Sequence, residues 1–164
     1  MRNIFLLVCN LFILHNIIAQ ASLCYNNGNV QTIPSMNNTK AINDLNNDGL
    51  PEVFFTANQS SNKLYLNKGN FEFEDITQKA GITYDGEWST GVVFVDINAD
   101  GWLDIYVCNA GNMLQKEKRK NKLYLNNKNN TFTESAASYG LDNDGYSTQA
   151  SFFDYELDGD LDCF

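Results

Sequence analysis

The chain has 164 residues, 43% hydrophobic and 13% aromatic, so it can bury a core and is neither disordered nor collagen-like. Its Lys and Arg number 11 against 20 Asp and Glu, a formal net charge of −9 that excludes the basic footprint of a nucleic-acid binder. The single histidine, His15, falls in a segment expected to be removed, which excludes His-based catalysis and His-ligated metals and leaves carboxylates and amides for chemistry.

Arg2 precedes an apolar run from Ile4 to Leu14 broken only by Asn10, and Ala19-Gln20-Ala21 follows as a small-residue exit. This pattern predicts a secretory signal peptide over 1–21, too short and interrupted to span a bilayer. The alternatives are an uncleaved anchor and a lipoprotein site at Cys24, the latter disfavoured by Leu23 directly before it. The expected location is therefore secreted or cell surface, with no transmembrane segment after cleavage. Cys24, Cys108 and Cys163 would remain, and three cysteines cannot all pair within one chain. Cys108 lies in an apolar run and is expected to be buried. Residues 22–40 read as a lead-in segment.

From there the chain repeats itself. Asn62-Lys63-Leu64-Tyr65-Leu66-Asn67 recurs as Asn121-Lys122-Leu123-Tyr124-Leu125-Asn126, and Trp88-Ser89-Thr90 recurs as Tyr146-Ser147-Thr148. An acidic element occurs three times, beginning at Asp44, Asp96 and Asp154. Around it, Gly91 to Val95 and Leu103 to Val107 are apolar runs of strand length, and Lys122–Asn126 and Asn130–Thr133 alternate with period 2. Gln78 to Gly81 reads as a short turn. Four short strands per unit, without helices of any length, predict an all-β fold, a partial β-propeller of four-stranded blades. Blade 1 is expected over 41–80, blade 2 over 81–139 and the start of blade 3 over 140–164. Two complete units and the start of a third suggest a portion of a longer protein, with further blades elsewhere. Ser151-Phe152-Phe153 is then expected to lack a partner strand of its own blade, leaving open edges prone to pairing.

Each acidic element has oxygen side chains at positions 1, 3, 5 and 9, with glycine at 6. They are Asp44, Asn46, Asp48 and Glu52; Asp96, Asn98, Asp100 and Asp104; and Asp154, Glu156, Asp158 and Asp162. The main-chain carbonyl at position 7 belongs to Leu50, Trp102 and Asp160. Ca²⁺ takes six to eight oxygens, and ligands at alternate positions converge only if the backbone curls, which a positive-φ glycine allows. Position 12 is Phe55 or Val107 and the flanks are strand-like, so an EF-hand is rejected. The bland alternative is a set of Asx-rich turns holding no metal. The loops carry 11 of the 20 acids, and three bound Ca²⁺ would offset most of that charge. About three Ca²⁺ sites are expected, the Asp96–Asp104 site tightest because its side chains are the most regular.

At Trp88 to Asp104 and in the two Asn-Lys-Leu-Tyr-Leu-Asn segments the chain resembles the FG-GAP/VCBS repeat family of integrin α-like propellers. Within it the chain resembles the branch associated with cartilage-acidic-protein-like and ASPIC/UnbV proteins. The resemblance implies a propeller of about seven blades, a Ca²⁺ loop between the first two strands of each, and extracellular adhesion or ligand binding. Glu52 and Glu156 depart from the family's usual Asp or Asn, and no ASPIC/UnbV segment is visible.

The basic run Lys116 to Lys120, with Lys122, reads as a solvated hairpin loop, alternatively a contact for an anionic glycan or partner. Tyr65, Tyr124 and Trp88 are expected in the blade core. Trp102 is expected to be more exposed and able to contact a sugar or partner. The leading reading is a non-catalytic, calcium-binding propeller for an unknown protein or glycan ligand. The alternatives are a carboxylate- and Ca²⁺-dependent polysaccharide lyase or hydrolase drawing on Asp85, Glu87, Asp142 and Asp144, and a purely structural module.

Overall fold

A computed structural model of the chain describes residues 23–26, 29–32, 39–58, 60–111 and 114–164. The signal peptide expected over 1–21 lies outside them. The chain forms two compact units, Met1–Asn37 and Asn38–Phe164. In the first, β1 (Leu23–Asn26) pairs antiparallel with β2 (Asn29–Thr32).

The second unit is a partial β-propeller. Its first sheet is an antiparallel meander of β3 (Lys40–Asn43), β4 (Glu52–Phe55), β5 (Lys63–Asn67) and β6 (Phe73–Asp75). The second repeats it with β7 (Ser89–Val95), β8 (Asp104–Asn109), β9 (Lys122–Asn126) and β10 (Phe132–Glu134). Both sheets are open meanders. A third hairpin pairs β11 (Phe152–Phe153) with β12 (Asp162–Cys163). This corrects the expectation for Ser151-Phe152-Phe153: the last residue of the acidic element, Asp162, and the one after it, Cys163, already return alongside Phe153 and Phe152. Single 3-10 turns, Lys116–Arg119 and Ala136–Tyr139, are the helical elements among the described residues. None is long and apolar enough to cross a membrane.

The core consists of layers between successive sheets. Leu45, Phe54, Leu64, Ile76 and Ala80 of the first repeat meet Val92, Ile105, Val107, Tyr124 and Phe132 of the second. On the opposite face of the second sheet, Tyr106, Cys108, Leu123 and Ala136 pack with Ala150 and Phe152. Every residue of β8 is buried, because alternate side chains serve the two layers. That explains why its central residues, Ile105 to Cys108, are continuously apolar rather than alternating. Burying a side chain such as Phe54 or Ile105 completely contributes about 1.5–3 kcal/mol each.

The first asparagine of each Asn-Lys-Leu-Tyr-Leu-Asn segment joins the layers. The side-chain Oδ1 of Asn62 accepts the Ala57 N–H (2.8 Å), and its side-chain amide N–H donates to Ser89 Oγ of the next repeat (3.1 Å). Asn121 does the same with the Asn109 N–H (2.8 Å) and Ser147 Oγ (2.9 Å). Both asparagines and Ser89 are buried. The serine of the Trp-Ser-Thr and Tyr-Ser-Thr elements is therefore half of a latch between blades.

Candidate metal centre

The acidic elements occupy the turns joining β3 to β4, β7 to β8 and β11 to β12. All three curl in the same way. The carboxylate at position 1 accepts two main-chain N–H groups, those of Asp48 (3.2 Å) and Gly49 (2.8 Å) at Asp44. Asp96 accepts from Asp100 (2.9 Å) and Gly101 (2.8 Å), and Asp154 from Asp158 (3.1 Å) and Gly159 (3.0 Å). The position-5 carboxylate accepts the N–H of position 7: Leu50 to Asp48, Trp102 to Asp100 and Asp160 to Asp158. The glycines at position 6 have φ of 85°, 83° and 98°, the left-handed conformation expected there. Position 4 is also left-handed, although it holds Asn47, Ala99 and Leu157. Only the asparagine is a residue type that tolerates this readily.

Position 9 is the structural anchor. Glu52 and Asp104 are each about 1% exposed. Each accepts the N–H of position 2, Leu45 to Glu52 at 2.9 Å and Ile97 to Asp104 at 3.2 Å. Each also accepts the N–H of the last asparagine of the third strand, Asn67 at 3.3 Å and Asn126 at 2.7 Å. The longer Glu52 side chain thus makes the same two contacts as Asp104. Those asparagines also donate their amides to position 8, to the Pro51 carbonyl (3.0 Å) and the Leu103 carbonyl (3.0 Å). Asn126 reaches the Leu45 carbonyl of the preceding loop as well (2.7 Å), and Asn47 reaches the Gly101 carbonyl (3.3 Å), so the first two loops are tied together. Spacing alone did not assign the asparagines this role, although their recurrence 59 residues apart pointed to one.

The electrostatics are those of crowded anions. Burial pushes the Glu52 carboxyl above its usual range, and Asp48 and Asp44 add to this against the hydrogen bonds from Leu45 and Asn67. Burial likewise raises Asp104, with Asp100 and Asp96 contributing. In the third loop, contact with Asp162 raises Glu156 and contact with Asp158 raises Asp160. Among the described residues, no three His, Cys, Asp or Glu side chains close around one point as a metal cluster. The donor set nevertheless fits a hard cation. Every side-chain donor is an oxygen, the loop has the curl that turns alternate positions to one side, and the carboxylates repel one another. If calcium binds, positions 1, 3, 5 and 9 and the position-7 carbonyl would hold it, where it would neutralise the cluster and rigidify the turn.

Elsewhere the structure corrects three expectations. Trp88 is not blade core: it is 41% exposed, whereas Trp102 is the half-buried tryptophan. Tyr65 is half-buried, and Tyr124 is fully buried as expected. The basic run is a solvated loop only in part, with Lys116 and Glu117 exposed. Arg119 is buried, lies over the Tyr146 ring at 4.6 Å and donates to the Asp144 carbonyl. Lys118 pairs with Asp85, Lys122 with Glu87, and Lys120 with Glu117 and Asp142. The run is an ionic seam that ties the second sheet to the segments before and after it. Burial alone would raise Glu87, but Lys122 and the Asp85 N–H outweigh it and hold the carboxyl below its usual range. Cys108 is buried as expected, and Cys163 is exposed.

Four-stranded meanders stacked through buried layers, with a curled acidic loop between the first two strands of each, define a repeat module of β-propeller type. Residues 44–107, from the first acidic loop through most of β8, match the family model of the FG-GAP-like repeat. No curated protein matches the chain.

Proposed function

We propose that the chain is an exported, calcium-stabilised propeller module that binds a protein or glycan ligand without catalysing a reaction. The resemblance to the cartilage-acidic-protein-like and ASPIC/UnbV branch belongs to this reading, on the strength of the Trp88 to Asp104 segment. The observation that carries the calcium assignment is the threefold recurrence of one curled loop geometry that gathers three to five carboxylates within nine residues. Turns selected for backbone geometry alone need no such charge density, and like charges this close are destabilising without a cation. The absence of catalysis is supported by three of the four candidate acids outside the loops: Asp85, Glu87 and Asp142 are each engaged by a lysine. Calorimetric titration of the whole chain with Ca²⁺ tests the reading. About three ions with dissociation constants of roughly 10⁻⁴–10⁻³ M are expected, the range of extracellular modules. No heat and no change in melting temperature at millimolar Ca²⁺ would rule the calcium assignment out.

A further inference from the structure

The turn between β9 and β10 repeats the turn between β5 and β6. The Lys128 N–H donates to Asn126 Oδ1 at 2.8 Å, as the Gly69 N–H donates to Asn67 Oδ1 at 2.9 Å. Both residues are left-handed, with φ of 65° at Lys128 and 77° at Gly69. The first repeat thus places at this position the residue that adopts the conformation without strain, and the second places a lysine there. The position overlooks the acidic loop of its own blade. A Cβ added at Gly69 would lie 3.8 Å from the side chain of Leu50, position 7 of the first loop. In the second repeat the side chain reaches the loop itself: Lys128 Nζ is 3.2 Å from Asp100 Oδ2. In the first loop the corresponding oxygen, Asp48 Oδ2, meets the neutral amide of Asn46 at 3.0 Å. The second loop therefore carries a full positive charge that the first does not.

We propose that Lys128 is an internal counter-ion of the Asp96–Asp104 loop, competing with a divalent cation for Asp100 and setting that loop's affinity. The inference rests on the calcium reading of the loops. The ammonium partly neutralises Asp96, Asp100 and Asp104, and a cation that takes Asp100 must displace it. The observed dissociation constant is then the intrinsic one divided by the fraction of molecules in which Lys128 has left the carboxylate. Lys128 and Asp100 are partly exposed, with side-chain exposures of 46% and 27%, so the pair is weak enough to be displaced and is screened by salt. Regular side-chain spacing favours the second loop as the tightest site, and Lys128 opposes that ranking.

The test compares the full chain with its Lys128→Gln and Lys68→Gln variants. Lys68 makes the same change in net charge, but its ammonium lies 4.0 Å from Glu74 and contacts no loop carboxylate. The probe is Tb³⁺, displaced by Ca²⁺ and excited through tryptophan. Trp102 sits in the second loop beside Asp100, while Trp88 is at the far end of β7, so the signal reports this loop. Lys128→Gln should bind Ca²⁺ there roughly three- to tenfold tighter, an advantage that shrinks with added salt. It should also melt lower than the parent in chelator and gain more on adding Ca²⁺. Lys68→Gln should match the parent. Equal affinity in all three proteins would overturn the role of Lys128 and leave the calcium reading standing. If neither the parent nor Lys128→Gln takes up Ca²⁺ or Tb³⁺, the calcium reading fails, and the competition with it.

Discussion

The two carboxylates Asp100 and Asp104 stand four residues apart in one loop, yet their substitution by alanine should have opposite signatures. Asp104 is about 1% exposed and accepts the Ile97 and Asn126 N–H groups at 3.2 and 2.7 Å. Asp104→Ala leaves the buried Asn126 N–H without a partner, at about 1–3 kcal/mol, and the half-buried Ile97 N–H as well, at less. Relief of repulsion from Asp96 and Asp100 returns part of that cost. The expected net loss in chelator is about 2–3 kcal/mol, or roughly 10 °C in melting temperature for a domain of this size. Asp100 lies on the exposed side of the loop and accepts the Trp102 N–H at 2.9 Å, so Asp100→Ala should cost less than about 1 kcal/mol in chelator. With Ca²⁺ at a hundredfold excess over its dissociation constant, the parent should gain about 2.7 kcal/mol per occupied loop, and both variants should forfeit the share of the second. Urea unfolding of the three proteins, with chelator and with Ca²⁺, gives all six values. Equal stabilities for Asp104→Ala and the parent in chelator would refute the assignment of Asp104 as the anchor of the loop. A full calcium increment retained by Asp100→Ala would refute its assignment as a ligand.

Ala99 is left-handed at φ 54°, so Ala99→Gly should stabilise the protein by about 0.5–1 kcal/mol, read as a rise in melting temperature; a fall would mean the loop is not strained there. Asn121→Ala removes the acceptor of the buried Asn109 N–H, the buried amide bond to Tyr106 Oη and the part-buried one to Ser147 Oγ. It should cost about 2–4 kcal/mol in urea unfolding, and amide exchange should accelerate around Asn109 and Ser147 before the first sheet is affected. Glu87 has a folded pKa below its ordinary value of 4.5, so its pair with Lys122 adds stability that is complete above that pH and is lost as pH falls through the lower folded value. Glu87→Gln should therefore melt below the parent at neutral pH in chelator and converge with it in acid; a gap that widened in acid would contradict the pairing.

What the sequence determined by itself is local. Strand periodicity, the repeat and the curled acidic loop were all legible, because each depends on residues within one turn or one strand. The glycine at position 6 is an example: its φ of 83° in the second loop is required by hydrogen bonds from its own and neighbouring N–H groups to Asp96 and Asp100. The all-β architecture followed from the same signals, since four short apolar runs per repeat leave no other way to satisfy their main-chain groups. Tertiary structure decided which side of each strand is covered. Trp88 rather than Trp102 is the exposed tryptophan, because a tryptophan's exposure depends on what the adjacent segments place over it. The basic run looked solvated because its partners Asp85, Glu87, Asp142 and the Tyr146 ring belong to segments far along the chain. The same holds for the recurrent asparagines, whose spacing was visible but whose partners Ser89, Ser147, Glu52 and Asp104 were not. Lys128 is the sharpest case: nothing in the sequence ties it to Asp100, and only the meander, by returning β9 alongside β8, brings its turn over the acidic loop.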